Sequence, residues 1–174
     1  MKRSAKRLRQ SRANRRLIFW ITRSRIEMSL GLVLRWLYAA GMSLAKKLLH
    51  TRYRVNDLER TVKFYREVLG LEEVRRHKSP RGSELVFLKA PESEELIEIC
   101  FFPGSESVKV QPDLTHLAFE VESLESFRQH LTRLGLNFSE EPHFKPDGSG
   151  FAFIDAPEGY EIELMQKGKG GAEY

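Results

Sequence analysis

Four side chains have the types and spacing to hold a divalent cation: His50, Glu98, His116 and Glu163. Each lies in an apolar run that alternates as a strand does. In Leu114–Val121, Leu117, Phe119 and Val121 fall on one side, and His116, Ala118 and Glu120 on the other. The run around His50 puts His50, Arg52 and Arg54 on one face. In Leu96–Phe101, Ile97, Ile99 and Phe101 can pack on helices, which leaves Glu98 facing away with Cys100. In Tyr160–Leu164, Ile162 and Leu164 pack, and Glu163 points away with Glu161 and Met165. Two imidazoles and two carboxylates on the helix-free face of a curved sheet make a divalent-metal site of N₂O₂ type. One strand histidine or glutamate alone is ordinarily a solvated residue. The joint placement of four carries the reading.

That placement comes from an internal repeat. An offset of 66 relates His50 to His116, Val55 to Val121, Leu58 to Leu124 and Glu59 to Glu125. At the same offset Phe87-Leu88-Lys89-Ala90-Pro91-Glu92 matches Phe153-Ile154-Asp155-Ala156-Pro157-Glu158. Ile97-Glu98 matches Ile162-Glu163 one residue short of it, a slip that a loop absorbs. Each half reads as a βαβββ module of about 55 residues. His77, His130 and His143 read as surface residues outside the repeat, and Cys100 as a small filler near the wall.

The elements that must position these groups follow in order. Leu48–Val55 reads as a strand, and Asn56-Asp57 as a turn and helix cap. Leu58, Val62, Tyr65, Val68 and Leu69 keep a helical rhythm up to Gly70, a helix stop. Strands follow at Leu71–Arg76, Glu84–Lys89 and Glu95–Phe102, and residues 103–112 form a linker. The second half repeats this order. It has a strand at Leu114–Val121, a helix at Leu124–Leu134 and a short strand at Asn137–Glu141. Pro142–Gly150 reads as a loop, with strands at Phe151–Asp155 and Glu161–Gln166. The fold class is α+β: two βαβββ modules (46–104 and 112–167) forming a curved eight-stranded mixed sheet, with residues 169–174 as a flexible tail.

Charge is uneven along the 174 residues. Residues 1–47 hold 13 Lys and Arg against the single acid Glu27, and the rest holds 16 basic and 23 acidic residues. The body is therefore mildly acidic, which gives no reason to propose nucleic acid as a partner. Residues 1–45 read as a basic extension, loosely helical or disordered. Arg35 interrupts the apolar run Met28–Ala45, which disfavours a membrane-spanning helix. An amphipathic contact with a membrane surface around Trp36 and Leu37 is a minor reading. Met28 and Met42 are alternative starts of the mature chain. The lone cysteine, Cys100, precludes an intrachain disulfide and suits a reducing compartment. The expected location is cytoplasmic, with organellar targeting by the Arg-rich extension as the minority alternative.

Over residues 46–167 the chain resembles the vicinal oxygen chelate superfamily, and within it glyoxalase I (lactoylglutathione lyase). The stretches that carry the likeness are Leu48-Leu49-His50-Thr51, Arg54-Val55, Asp57-Leu58, Phe64-Tyr65, Val68-Leu69-Gly70, Ile97-Glu98-Ile99, His116-Leu117-Ala118 and Asp155–Leu164. The ligand order His50, Glu98, His116, Glu163 is similar to that of glyoxalase I. It differs from the patterns of the superfamily's epimerases, dioxygenases and metal-free binding modules, which stand as the alternatives.

The resemblance implies a lyase that isomerises the hemithioacetal of methylglyoxal and glutathione to S-lactoylglutathione. Proton transfer would run through a metal-stabilised enediolate, with Glu163 as the base and Glu98 as a ligand and second candidate proton carrier. It implies one divalent metal ion per site, Ni²⁺ or Co²⁺ ahead of Zn²⁺. It implies that Arg54 pairs with the glutathione carboxylate, and that a homodimer forms with its sites between subunits. Lys145-Pro146-Asp147-Gly148 loosely resembles the loop that closes the site. One departure bears on the thiol: Phe102 stands where the family tends to have an asparagine that holds glutathione.

Overall fold

The structure, a computed structural model, describes residues 45–170. The expectations for the basic extension, including its transit-peptide, membrane and start-site readings, fall almost entirely outside those residues. Among the described residues no helix is long and apolar enough to cross a membrane. From Leu49 the chain forms one compact unit.

Its elements run β1 (His50–Arg54), α1 (Leu58–Leu69), β2 (Glu72–Lys78), β3 (Glu84–Lys89), β4 (Leu96–Phe101), β5 (His116–Val121), α2 (Leu124–Arg133), β6 (Glu140–Phe144), β7 (Gly150–Asp155) and β8 (Glu161–Gln166). The two βαβββ modules are present. The eight strands divide into two four-stranded mixed sheets, ordered β1-β4-β3-β2 and β5-β8-β7-β6. In each sheet the first strand of the module lies parallel to the last, and the other pairings are antiparallel. β1 and β5 are therefore both edge strands.

Local chemistry sets the helices. The Asp57 side chain accepts the Arg60 N–H at 3.0 Å, and Gly70 ends α1 in the left-handed region at φ 69°. Ser123 caps α2 in the same way. α1 buries Leu58, Thr61, Val62, Tyr65 and Val68. Leu58, Val62, Tyr65 and Val68 join Val86, Leu88, Ile97 and Ile99 of the first sheet and Ala152, Ile154, Ile162 and Leu164 of the second in a single core. Each fully buried Leu or Ile there contributes about 2–3 kcal/mol relative to exposure.

Polar contacts tie the two modules. Tyr53 meets Tyr160 edge-on at 4.7 Å, and the Tyr160 hydroxyl donates to the Arg54 carbonyl at 3.0 Å. Glu158 of the second module accepts from the Asn56 N–H at 3.2 Å and from the buried Thr61 hydroxyl at 2.8 Å, at the N-terminus of α1. The helix-facing sides of both sheets thus share one core, and the opposite face of the first sheet buries a smaller cluster of its own, Leu85, Phe87 and Cys100.

One expected element shifts. The short strand expected at Asn137–Glu141 starts three residues later, and Pro142–Gly150 is not all loop, because β6 covers Glu140–Phe144 with Pro142 inside it. Pro142 lacks an N–H, but β6 is the outer strand of its sheet, and the register slips between Glu140 and His143. An edge strand with a bulge tolerates the missing donor. The loop itself shrinks to the turn closed by Lys145 N–H to Ser149 carbonyl, 2.8 Å.

Candidate metal centre

The outward faces carry the proposed ligands, as two pairs. His50 opens β1, and in the β1–β4 register Arg52 lies beside Glu98. His50 Nε2 stands 3.1 Å from Glu98 Oε2. His116 opens β5, where Ala118 lies beside Glu163, and His116 Nε2 stands 3.3 Å from Glu163 Oε2. Among the described residues no three His, Cys, Asp or Glu side chains form a group able to hold a metal. One chain therefore builds two half-sites, His50–Glu98 and His116–Glu163, and does not unite them.

Each half-site suits a cation. A neutral imidazole nitrogen and a carboxylate oxygen both present lone pairs, so at this separation a proton or a cation must relieve them. Two adjacent ligands of a six-coordinate ion with bonds of about 2.1 Å lie roughly 3 Å apart. Both pairs match that bite.

The surroundings repeat as well. Phe87 lies beside Glu98, and Phe153 beside Glu163. Their rings meet His50 edge-on at 5.6 Å and His116 edge-on at 6.1 Å. These phenylalanines fix the imidazole planes, and their offset of 66 was the available signal for that role. His77 stacks on Phe87 at 5.7 Å, and His143 on Phe151 at 5.1 Å. His77 and His143 are exposed, as expected, but they do not stand outside the repeat. They are 66 residues apart, and each shares a face with its module's half-site. The alternation of these short strands was obscured by the bulges in β2 and β6, so sequence periodicity missed the pair. His130 lies elsewhere, with Nε2 2.9 Å from the Glu67 carbonyl of α1.

The half-sites differ in charge. Glu98 is 2% exposed, and its Oε1 accepts the Arg52 Nε–H at 2.5 Å. That hydrogen bond, opposed by partial burial, raises the Arg52 guanidinium further above its ordinary value. Glu163 is 17% exposed, and alanine occupies the place of the arginine. The Arg75 guanidinium sits 3.9 Å over Phe87, adding a second cation to the first face. Cys100 is buried with Leu85, Phe87 and Leu96, the filler expected of it. Arg54 donates from Nη2 to the Glu106 carbonyl at 2.5 Å, while its Nε is buried and bonds to no described group. Phe102 is exposed at the end of β4. The Asp147 carboxylate accepts from the Ser149 hydroxyl (2.7 Å) and N–H (2.9 Å), which lowers its pKa and stiffens the turn after β6.

Comparison with known proteins agrees with this frame. The chain is 35% identical over 124 residues to a lactoylglutathione lyase of Salmonella typhimurium, covering 69% of this chain and 92% of that protein. It is 32% identical over 127 residues to the lactoylglutathione lyase GLX1 of Arabidopsis thaliana, covering 71% of this chain. The match spans only 45% of the plant protein's own length. Among solved structures, the trypanothione-dependent glyoxalase I of Leishmania major superposes with a TM-score of 0.60 at 33% identity, over 70% of this chain and 87% of that one. Glyoxalase I from Zea mays superposes with a TM-score of 0.62 at 28% identity, over 72% of this chain and 46% of that one. The model of the Glyoxalase/Bleomycin resistance protein/Dioxygenase superfamily matches residues 47–164, and the chain belongs to that family.

Proposed function

We propose that the protein is a metal-dependent lactoylglutathione lyase-like enzyme. It would isomerise the hemithioacetal of methylglyoxal and glutathione to S-lactoylglutathione. The observation that carries this is the pair of His–Glu half-sites, 3.1 and 3.3 Å across, at equivalent places in the two modules. The relatives named lactoylglutathione lyase support the choice of reaction.

His50 and Glu98 from one chain, with His116 and Glu163 from a second copy, would hold the cation in a homodimer. Three features favour that assembly. The half-sites stay apart in one chain. Both histidines begin edge strands, next to Leu49 and Leu114, which are 65% and 64% exposed. Beyond the internal pairs Arg52–Glu98 and Glu120–Lys167, the face with Arg75 and His77 complements the face with Glu161 and Glu163.

A divalent cation, when bound, supplies a Lewis acid that polarises the substrate oxygens. Glu163 takes the proton from the carbinol carbon. The C–H electron pair becomes the carbon–carbon double bond of an enediolate as the ketone π pair moves onto its oxygen. The same proton then returns to the former ketone carbon, and the carbinol O–H proton ends on the former ketone oxygen, leaving a thioester and a secondary alcohol. No electrons enter or leave. Arg54, whose Nη2 already donates to the Glu106 carbonyl, would offer its remaining outer guanidinium N–H groups to the carboxylate of the thiol. Imidazole and carboxylate donors suit Ni²⁺, Co²⁺ and Zn²⁺ alike, and we favour the first two on family resemblance.

A second reading, a lyase for a different thiol, draws on Phe102, an exposed apolar group where a polar glutathione contact is expected. One assay tests both. Protein loaded with Ni²⁺, Co²⁺ or Zn²⁺ is given methylglyoxal with glutathione or with other low-molecular-weight thiols, and thioester absorbance is followed. Thioester from glutathione supports the first reading, and thioester only from another thiol the second. No thioester under any combination would reject the lyase.

A further inference from the structure

Arg54 closes β1 on the face that carries His50 and Arg52, beside Cys100 of β4. The segment after β4 comes back to meet it: Arg54 Nη2 donates to the Glu106 carbonyl at 2.5 Å. That segment is pinned on both sides of Glu106. Before it, the Ser105 hydroxyl donates to the Phe102 carbonyl at 2.6 Å. After it, Asn56 Nδ2 donates to the Val108 carbonyl at 3.0 Å, and the Val108 N–H donates to Asn56 Oδ1 at 2.7 Å. The Glu106 backbone is thus fixed against the guanidinium. Its own carboxylate is exposed and has no hydrogen-bond or ion-pair partner among the described residues. The other carboxylates next to Asn56 are engaged. Asp57 accepts the Arg60 N–H at 3.0 Å, and Glu158 accepts the Asn56 N–H at 3.2 Å and the Thr61 hydroxyl at 2.8 Å. One guanidinium with open N–H groups and one free carboxylate therefore stand side by side at this end of β1.

We propose that Glu106 receives the ammonium group of the thiol, so that Arg54 and Glu106 together read an α-amino acid head group. This rests on the lyase reading, in which Arg54 takes a carboxylate of the thiol. An α-amino acid holds its nitrogen and its carboxylate carbon about 2.5 Å apart on one carbon. A guanidinium and a carboxylate on hydrogen-bonded residues match those two charges. Arg54 alone would accept any acidic thiol. With Glu106 beside it, a thiol that lacks the amine leaves one charge unmatched, and glutathione satisfies both. Phe102, at the start of the segment, has no polar side chain to contribute, so selection of the head group falls to Glu106.

The test uses the full chain loaded with Ni²⁺ and two thiols, glutathione and glutaryl-cysteinylglycine, which differ only by hydrogen in place of the ammonium group. The methylglyoxal hemithioacetals of both are assayed with wild type, Glu106→Gln and Glu106→Asp. Glu106→Gln keeps the side-chain length and leaves the backbone carbonyl on Arg54. In wild type, KM should be about tenfold lower for the glutathione adduct at equal kcat, a gain between that of an exposed ion pair and that of a charge-assisted hydrogen bond. Glu106→Gln should raise KM for the glutathione adduct to that of the amine-free adduct and leave the latter unchanged. Glu106→Asp should keep part of the preference. Calorimetry with the S-methyl derivatives of the two thiols reads the same preference as a Kd ratio without turnover.

Equal KM for the two adducts in wild type would overturn the inference and leave the lyase reading intact. So would a rise in KM for both adducts in Glu106→Gln, which would mean that the side chain acts by shaping the segment. Absence of thioester from either thiol would count against the lyase reading, and calorimetry then decides the inference by itself. Tighter binding of S-methylglutathione than of its amine-free counterpart, lost in Glu106→Gln, would uphold the head-group site, and equal or absent binding would reject it.

Discussion

Joining half-sites across two chains makes a quantitative prediction for mixed variants. His50→Ala spoils the first half-site of its chain, and His116→Ala spoils the second. Each homodimer then contains two defective sites, and each variant alone should be inactive. When the two proteins are mixed, unfolded and refolded together, chains pair at random and half of the dimers are mixed. In a mixed dimer one site unites both lesions. The other unites the intact His50–Glu98 pair of one chain with the intact His116–Glu163 pair of its mate. One site in two, in half of the dimers, restores about a quarter of wild-type turnover for a twofold-symmetric assembly. The assay is thioester formation per mole of chain at saturating metal, with wild type carried through the same refolding. Recovery near zero, with mixed dimers verified by differential tagging, would refute the shared site and require both pairs of one chain to close on the same ion.

Other expectations follow from single contacts. Glu163→Gln should lower turnover by at least about 100-fold, the ordinary contribution of a general base, and should weaken metal binding measured by calorimetry. Glu158→Ala removes the acceptor shared by the α1 N-terminus and the Thr61 hydroxyl. It should cost about 2 kcal/mol in urea unfolding with little change in the slope. Among the described residues the buried Tyr65 hydroxyl has no partner, and burial raises its pKa. Tyr65→Phe should therefore be neutral or stabilising by up to about 1 kcal/mol in the same experiment. Arg76 bonds Glu73 through Nε at 2.9 Å, and that contact lowers the Glu73 pKa from its ordinary 4.5. A depressed folded value gives stability that is full above 4.5 and is lost as pH falls through the lowered one. The thermal stability gap between wild type and Arg76→Gln should therefore be present at pH 7 and shrink in strong acid.

Much of the fold was legible in the chain. Strand alternation fixed which side of each strand meets the helices, because a period of two admits no other assignment once one face is apolar. Glu98 between Ile97 and Ile99 had to face away from the helix-packed core, and it does: Ile97 and Ile99 join that core, while Glu98 lies beside Phe87 of the opposite face. The repeat then told which residues are equivalent, so the four candidate ligands could be named as two related pairs. The β6 strand was expected three residues early, at Asn137–Glu141, because Pro142 and a bulge break the alternation at a sheet edge, where pairing with β7 decides the outcome.

Tertiary structure decided what depends on distances between segments far apart in sequence. Only packing shows that the helix-facing sides of both sheets share one core, which turns the ligand faces outward and leaves the two pairs separate in one chain. The parallel pairing of β1 with β4 decided that Arg52 reaches Glu98. A sequence period places a side chain on a face. The register between strands, set by the hydrogen-bond ladder, determines which neighbour it touches.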